Sequence, residues 1–362
     1  MRLQPRRPQR IQEINDWLRR GEISPGDALR LAMELRRRQG KAAAAAKAAP
    51  AAAPVAQEAD REERVNRVLA ELDALVGLES VKHHVREIHA YAAIQARRAA
   101  MGLAHEATGL HMIFTGNPGT GKTTVARLLG RLFKEMGLLP SGHMVEVERA
   151  DLVGEYIGHT AQKTREVIKR AMGGLLFIDE AYSLARGGEK DFGKECIDCL
   201  VRAMEEHRGE MMLILAGYPA EMEWFLCQNP GLRSRFPIII SFPDYSPAEL
   251  LAIGEGMWRQ RQYELQEDAR LFLKQWLAGG LGEMRPDDGN ARAVRNLVER
   301  SLRCQAVRLV GRRNPTREEL MQITREDLQR AAGLLPLPPR RDGASGPRPG
   351  AGPGSQKASP PD

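Results

Sequence analysis

Gly116-Asn117-Pro118-Gly119-Thr120-Gly121-Lys122-Thr123 is the stretch on which the reading of this sequence turns. It has the spacing of a phosphate-binding loop, with glycine at both ends of the turn and Lys-Thr at its close. The motif has meaning only between a strand and a helix. Here the apolar run Leu110–Thr115 precedes it, and an amphipathic helical pattern opens at Lys122. Glycines let successive backbone N–H groups face an anion, and the N-terminus of the following helix adds its positive dipole end. Lys122 is expected to reach the β and γ phosphates, and the Thr123 hydroxyl to bind Mg²⁺. Thr124, the next residue of the helix, completes the expected nucleotide-binding set.

A second constellation lies further on. Leu175-Leu176-Phe177-Ile178-Asp179-Glu180 is an apolar strand that ends in two acids. Packing gives a buried strand no reason to end in adjacent carboxylates, whereas chemistry beside a phosphate loop does. Asp179 is expected to hold Mg²⁺ through water, and Glu180 to act as general base on an attacking water.

Strand candidates at Leu110–Thr115, Met144–Glu148, Leu175–Ile178, Met211–Ala216 and Ile238–Phe242 alternate with helical runs, the signature of a parallel α/β sheet. After Asp244 the strand pattern stops. Ser246-Pro247-Ala248-Glu249 is a helix-capping signature, and the chain to about Gly333 reads as helix. The expected organisation is a helical hairpin over 1–40, an Ala-rich linker over 41–57, an αβα nucleotide-binding domain over 58–245, a small all-helical domain over 246–333 and a disordered tail over 334–362.

The 362 residues are 42% hydrophobic and 28% charged, as in a soluble globular protein. No apolar run is long enough to cross a bilayer, and the basic N-terminus is not followed by the apolar stretch of a secretory signal. A cytoplasmic protein without membrane partners is expected. The formal charge of +7 is concentrated at the ends: residues 1–41 hold eleven Lys/Arg against five Asp/Glu, and residues 334–362 four against two. The body between them is close to neutral, which argues against a nucleic-acid track. Cys196 and Cys199 share a helical face, but no second pair completes a zinc set, so they read as small apolar groups. His83-His84 reads as solvated, and Trp224-Phe225 as a packing face.

Asp179-Glu180-Ala181-Tyr182-Ser183-Leu184, with GEYIGHTAQKT before it and LILAGY and NPGLRSRFP after it, resembles the AAA+ family that groups stage V sporulation protein K with the red-type Rubisco activase. The resemblance covers roughly residues 72–333. It implies an AAA+ αβα sandwich on a parallel five-stranded sheet with an all-helical lid, ATP and Mg²⁺ as ligands, and a homo-oligomeric ring, usually of six. Val76-Gly77 matches the segment that lines the adenine. Arg235, with Arg233 as a second candidate, matches the arginine that enters a neighbour's nucleotide site. Arg292 in Gly289-Asn290-Ala291-Arg292 matches the lid arginine that returns to the γ-phosphate, with Arg295 one turn on as its structural neighbour. The residue that senses nucleotide after the fourth strand is not identified, because that strand runs into Ala216-Gly217-Tyr218. Tyr156-Ile157-Gly158 matches the loop that faces the ring's channel. An aromatic and an aliphatic side chain there do not suit a solvated loop. The function implied is ATP-driven remodelling or threading of a protein client, in sporulation if the organism forms endospores. A Rubisco-activase-like chaperone with another client and a nucleic-acid-translocating motor are the alternatives.

Overall fold

The computed structural model of the chain describes residues 55–104, 110–156, 158–186, 192–279 and 289–335. The N-terminal hairpin, all but the last three residues of the Ala-rich linker, Ile157 and the tail from residue 336 lie outside the described residues. The chain divides into two compact units, Met1–Arg67 with Tyr91–Glu106, and Val68–Ala90 with Ala107–Asp362. Helices α1 (Val55–Asp73) and α2 (Glu79–Ala100) contribute residues to both. In the first unit, the start of α1 carries the ion pairs Arg64–Asp60 and Arg67–Glu63, each one turn apart. At the end of α2, Arg98 donates to the Ala104 carbonyl at 3.0 Å.

The second unit is built on five apolar runs that pair as parallel strands. In chain order these are β1 (Met112–Gly116), β2 (Met144–Val147), β3 (Leu175–Ile178), β4 (Met212–Gly217) and β5 (Ile238–Phe242). Their spatial order is β2-β3-β4-β1-β5. β3 and β4 are buried along their whole length, as central strands covered on both faces must be. Between β1 and β2 runs α3 (Lys122–Glu135), which turns Val125, Ala126, Leu129, Leu132 and Phe133 inward at helical spacing. Between β2 and β3 come α4 (Arg149–Leu152) and α5 (His159–Ala171). A short 3₁₀ turn (Ala181–Ala185) and α6 (Gly193–Glu206) lead from β3 to β4, and α7 (Pro219–Gln228) and α8 (Pro230–Arg233) from β4 to β5.

Beyond β5 the chain forms the lid: α9 (Pro247–Gln260), β6 (Glu264–Leu265), α10 (Glu267–Ala278), α11 (Asn290–Leu309), α12 (Arg317–Met321), β7 (Gln322–Ile323) and α13 (Arg325–Ala331). α9 starts with the expected capping box, in which Ser246 accepts from the Glu249 N–H while Glu249 accepts from that of Ser246. Leu250, Trp258, Leu273, Val294, Leu297 and Leu328 make a core separate from that under the sheet. The buried Trp258 indole donates to the Ser301 hydroxyl at 3.0 Å. Asp327 is fully buried and accepts from Arg308 Nη2 at 2.8 Å and from the Thr324 hydroxyl at 2.9 Å. The sequence pattern lacks one element found here: β6 and β7 pair in parallel through Glu264–Gln322 and Leu265–Ile323. Two-residue strands are too short to show a period. Trp224 also differs from its expected packing role, being 45% exposed beside a buried Phe225.

His111, one residue before β1, is buried, and its Nδ1 accepts the Leu213 N–H at 3.1 Å. That bond requires the neutral ring. Burial, with the charge of Arg208 as a second cause, depresses its pKa from 6.5 to about 4. Between those values the unfolded chain binds a proton that the folded chain refuses, so stability is lost as pH falls from 6.5 towards 4. The wild-type melting temperature should therefore fall more steeply across that window than that of His111→Gln. The difference is capped at about 3 kcal/mol. Parallel slopes in a pH series of thermal melts would remove His111 as the origin.

Candidate active site

The strand order brings the C-terminal ends of β3, β4 and β1 side by side. Gly116 closes β1, Asp179 and Glu180 follow β3, and Tyr218 follows β4. A cleft of about 630 Å³ opens over this edge, a size suited to a nucleotide. Pro118, Gly119, Thr120, Gly121, Lys122, Thr123 and Thr124 line it from the loop, with Asp179 and Glu180 beside them. Ala252, Ile253, Gly256, Met257 and Gln260, one face of α9, form another wall, and Leu75, Val76 and Leu78 extend the apolar side. Arg292 and Arg295 reach the cleft from the first turns of α11.

The loop is organised from within. The Thr120 hydroxyl donates to the Asn117 carbonyl at 2.8 Å. Lys122 Nζ donates to the carbonyls of Gly116 and Asn117 at 2.8 and 2.9 Å, so these two residues shape the loop around the lysine. Burial pulls the Lys122 pKa down; Asp179 raises it, Arg292 lowers it and Glu180 raises it. Gly119 has a φ of +73°, and a Cβ there would lie 2.7 Å from the Gly289 carbonyl and 2.8 Å from the Arg292 nitrogen. Only glycine fits where the loop and the start of α11 come this close. The result is a concave run of backbone with no side chain in the way, which is the form a phosphate chain needs.

Asp179 is partly buried and Glu180 exposed. The Glu180 N–H donates to Asp179 Oδ1 at 3.0 Å. Glu180 itself sits at φ +47°, ψ +43°, a left-handed conformation uncommon for a glutamate. Strain of this kind is found where a side chain must be aimed. Below it, Tyr182 is buried with the Arg186 guanidinium 4.5 Å from its ring centre, and the Tyr218 ring lies 5.8 Å away. Thr123 and Asp179 offer one hydroxyl and one carboxylate to the same cleft. This donor set suits Mg²⁺, which keeps most of its water and takes few protein ligands.

The other residues singled out in the sequence lie elsewhere. Gly77 does not line the cleft. It has a φ of +62° and lies against the Glu249 carboxylate at the start of α9, where any Cβ would clash. Arg233 ends α8 and is exposed. Arg235 donates through Nη1 to the Gly231 carbonyl at 2.7 Å and through Nε to Glu205 at 3.1 Å. Its hydrogen bond and charge hold the Glu205 carboxyl below the usual carboxylate range. Neither arginine borders its own chain's cleft. Tyr156 is 66% exposed, on a loop anchored at both ends. There the Gly154 N–H donates to the buried Thr160 hydroxyl at 3.0 Å, and Lys163 Nζ to the Ala150 carbonyl at 2.9 Å. His159 meets the Tyr156 ring edge to face at 5.5 Å. Gly158, at φ +83°, caps α5. Cys196 is buried and burial pushes its thiol up to about 12. Among the described residues no His/Cys/Asp/Glu group is placed to hold a metal by itself.

Of the apolar side of the cleft, sequence reasoning found Val76 and missed the rest. Leu75, Tyr245 and the face of α9 that carries Ile253 and Met257 come from separate segments, and nothing in an apolar side chain marks it as facing a ligand and not a core. Tyr218 carried a weak signal, as the residue directly after β4.

A family model described as "ATPase family associated with various cellular activities (AAA)" matches residues 112–244, and one described as an AAA lid domain matches 246–335. Stage V sporulation protein K of Bacillus subtilis (strain 168) is 55% identical over 71% of this chain and 80% of its own length. Protein CbbX of Cereibacter sphaeroides is 49% identical over 67% of this chain and 78% of its own. The chloroplastic ribulose bisphosphate carboxylase/oxygenase activase of Cyanidioschyzon merolae (strain NIES-3377 / 10D) is 43% identical over 74% and 92%. Among solved structures, the FIGL-1 AAA domain in complex with ADP superposes with a TM-score of 0.50 at 17% identity, covering 75% of this chain and 85% of that one, a likeness of fold. The phosphate loop, the acid pair and the lid thus converge with these relatives on one conclusion: the chain belongs to the AAA+ ATPases that include stage V sporulation protein K and CbbX, and it is an ATP-hydrolysing enzyme.

Proposed function

We propose that this chain is a Mg²⁺-dependent motor that remodels or threads a protein client from within a homo-oligomeric ring of six. Its working parts are the domain over 58–245 and the lid over 246–333. The hairpin 1–40 serves targeting or regulation, and residues 1–57 and the tail from 336 on are dispensable for ATP hydrolysis. The observation that carries this reading is the single cleft lined by Lys122, Thr123, Asp179, Glu180 and Arg292. In it the loop amides and Lys122 hold the phosphates, and Arg292 answers the γ-phosphate from the lid. Glu180 orients a water and takes its proton at a side-chain oxygen. Thr123, with its hydroxyl, and Asp179, through water, would hold Mg²⁺, which would supply charge neutralisation for the phosphates. Val76 contributes to the adenine side.

Arg235 acts on the neighbouring copy's cleft, with Arg233 as its second. In the single chain Arg235 pairs with Glu205, a solvent-exposed partner that it can leave at little cost. Client contact is made by Tyr156, Ile157 and Gly158; a Tyr ring 66% exposed on an anchored loop supports this. The identity of 55% to a sporulation protein supports cytoplasmic work in endospore formation. Similarity to CbbX and to a Rubisco activase supports a chaperone with another client as the second reading.

Glu180→Gln should bind ATP and hydrolyse it at least about a hundredfold more slowly, the typical worth of general-base assistance. Lys122→Ala should weaken binding itself. Equilibrium binding and single-turnover hydrolysis separate the two, and wild-type turnover in Glu180→Gln would refute the assignment. The same variant, loaded with ATP, should retain client for identification by mass spectrometry.

Arg235→Ala should bind nucleotide and fail to turn it over. Mixed into rings with Lys122→Ala, which lacks a working cleft but carries Arg235, it should regain part of its activity. Mixed rings that stay inactive at every ratio contradict a shared site.

Tyr156→Ala should lose client-stimulated hydrolysis and client capture while melting at the wild-type temperature. Tyr156→Phe should keep both, because the ring face makes the contact. Stimulation by single-stranded DNA that falls steeply with salt, in place of a protein client, would overturn the reading.

A further inference from the structure

Three separate segments meet beside the phosphate loop through one carboxylate. Asp244 lies two residues past the end of β5, on the connection to the lid. Asn117 of the loop donates its side-chain N–H to both Asp244 oxygens at 2.9 Å. From the other side, Asn290, the first residue of α11, donates to Asp244 Oδ1 at 2.8 Å. The Asn290 side-chain oxygen accepts the Tyr245 N–H at 2.9 Å, and the Tyr245 hydroxyl donates to the Thr120 carbonyl at 3.2 Å. The Ala291 N–H donates to the Gly119 carbonyl at 3.2 Å. Asn290 is 8% exposed and holds a φ of +56°, a conformation that glycine would adopt without strain. Its side chain is what the position requires. Arg292, the lid arginine of the cleft, follows two residues later.

We propose that Asp244 is a positioning residue for ATP hydrolysis: it clasps the phosphate loop to the start of α11 and so sets the reach of Arg292 into the cleft. The chemistry of the clasp is specific. A carboxylate only accepts, and both partners present donors. Asp244 Oδ1 accepts from both Asn117 and Asn290, and Oδ2 from Asn117 again. An amide that kept its oxygen at the Oδ1 position would set its own N–H against the Asn117 amide at the other, replacing an accepted bond by two opposed donors and loosening the loop side of the clasp. The clasp also carries information the other way: whatever reshapes the loop at Asn117 is felt at the first residue of the lid helix. This inference rests on the reading that Arg292 acts on the bound phosphates, and the test separates the two.

The experiment compares kcat and KM for ATP, ADP affinity and melting temperature for the full chain with Asp244→Asn, Asn290→Gly, Arg292→Ala and the double variant Asp244→Asn/Arg292→Ala. Arg292→Ala should lower kcat by about tenfold or more. Asp244→Asn should lower kcat by roughly tenfold with ADP affinity within about threefold of wild type, because misplacement of a positioned group costs rate before it costs binding. The double variant should be no slower than Arg292→Ala alone, since both changes remove the same contribution. Asn290→Gly should reproduce the kcat loss although glycine suits the backbone better; a role in backbone shape alone would leave kcat whole. The proposal is overturned if Asp244→Asn or Asn290→Gly turns over at the wild-type rate, or if the two losses multiply in the double variant. Loss of melting temperature and ADP affinity in step with kcat, in both clasp variants, overturns it as well. Full turnover in Arg292→Ala overturns the reading of Arg292 itself, and the proposal with it.

Discussion

A backbone amide can be aimed at a phosphate only where no side chain stands between them, and here that demand falls on Gly119. The same residue meets a second demand: the Gly289 carbonyl and the Arg292 nitrogen crowd the space where its Cβ would be. The loop is thus open on the phosphate side because it is glycine, and the lid helix can begin against it for the same reason. Lys122 and the acid pair follow from the sheet, whose order sets β3, β4 and β1 with their C-terminal ends in line. The lid residues follow from the contact at Gly119. Take away either the parallel edge or the bare loop, and the lysine, the carboxylates and the arginines no longer share a cleft.

Much of this was legible from the residue types alone. Glycine spacing ahead of Lys122, and a run of apolar residues closing on Asp179-Glu180, are local signals, since the physical reason for each lies within a few neighbours. All five strands fall where the apolar runs are, with ends shifted by up to two residues. The cap at Ser246 was legible because a capping box is a short-range hydrogen-bond exchange.

What escaped is non-local. Asn117, Asp244 and Asn290 are 127 and 46 positions apart, and nothing in an Asn or an Asp announces a partner at that distance. The pairing of Arg235 with Glu205 across 30 positions is likewise invisible in the text. Gly77 shows a different failure. Its neighbour Val76 lines the cleft while Gly77 turns to Glu249, and a resemblance that assigns a segment cannot say which of two adjacent residues faces the ligand. The β6–β7 pairing is too short for periodicity to register. Left-handed Glu180 obeys no propensity; its conformation is imposed by the turn out of β3.

The lid helix α11 is a lever in the mechanical sense. Its 20 residues span roughly 30 Å at the usual rise per residue. Its near end starts on the phosphate loop, and its far end is bolted to the rest of the lid. Gln305 donates to the Leu320 and Gln322 carbonyls at 2.9 and 3.0 Å, and Arg308 binds the fully buried Asp327. Breaking such a pair leaves a charge stranded away from water, at a cost of about 3–5 kcal/mol. The far end therefore carries β7 and α13 with it and does not bend away. A tilt of about ten degrees at Asn290 displaces that end by about 5 Å over a rod of this length. A shift too small to notice beside the phosphate loop is thus, at the far end of the helix, a displacement on the scale of a side chain.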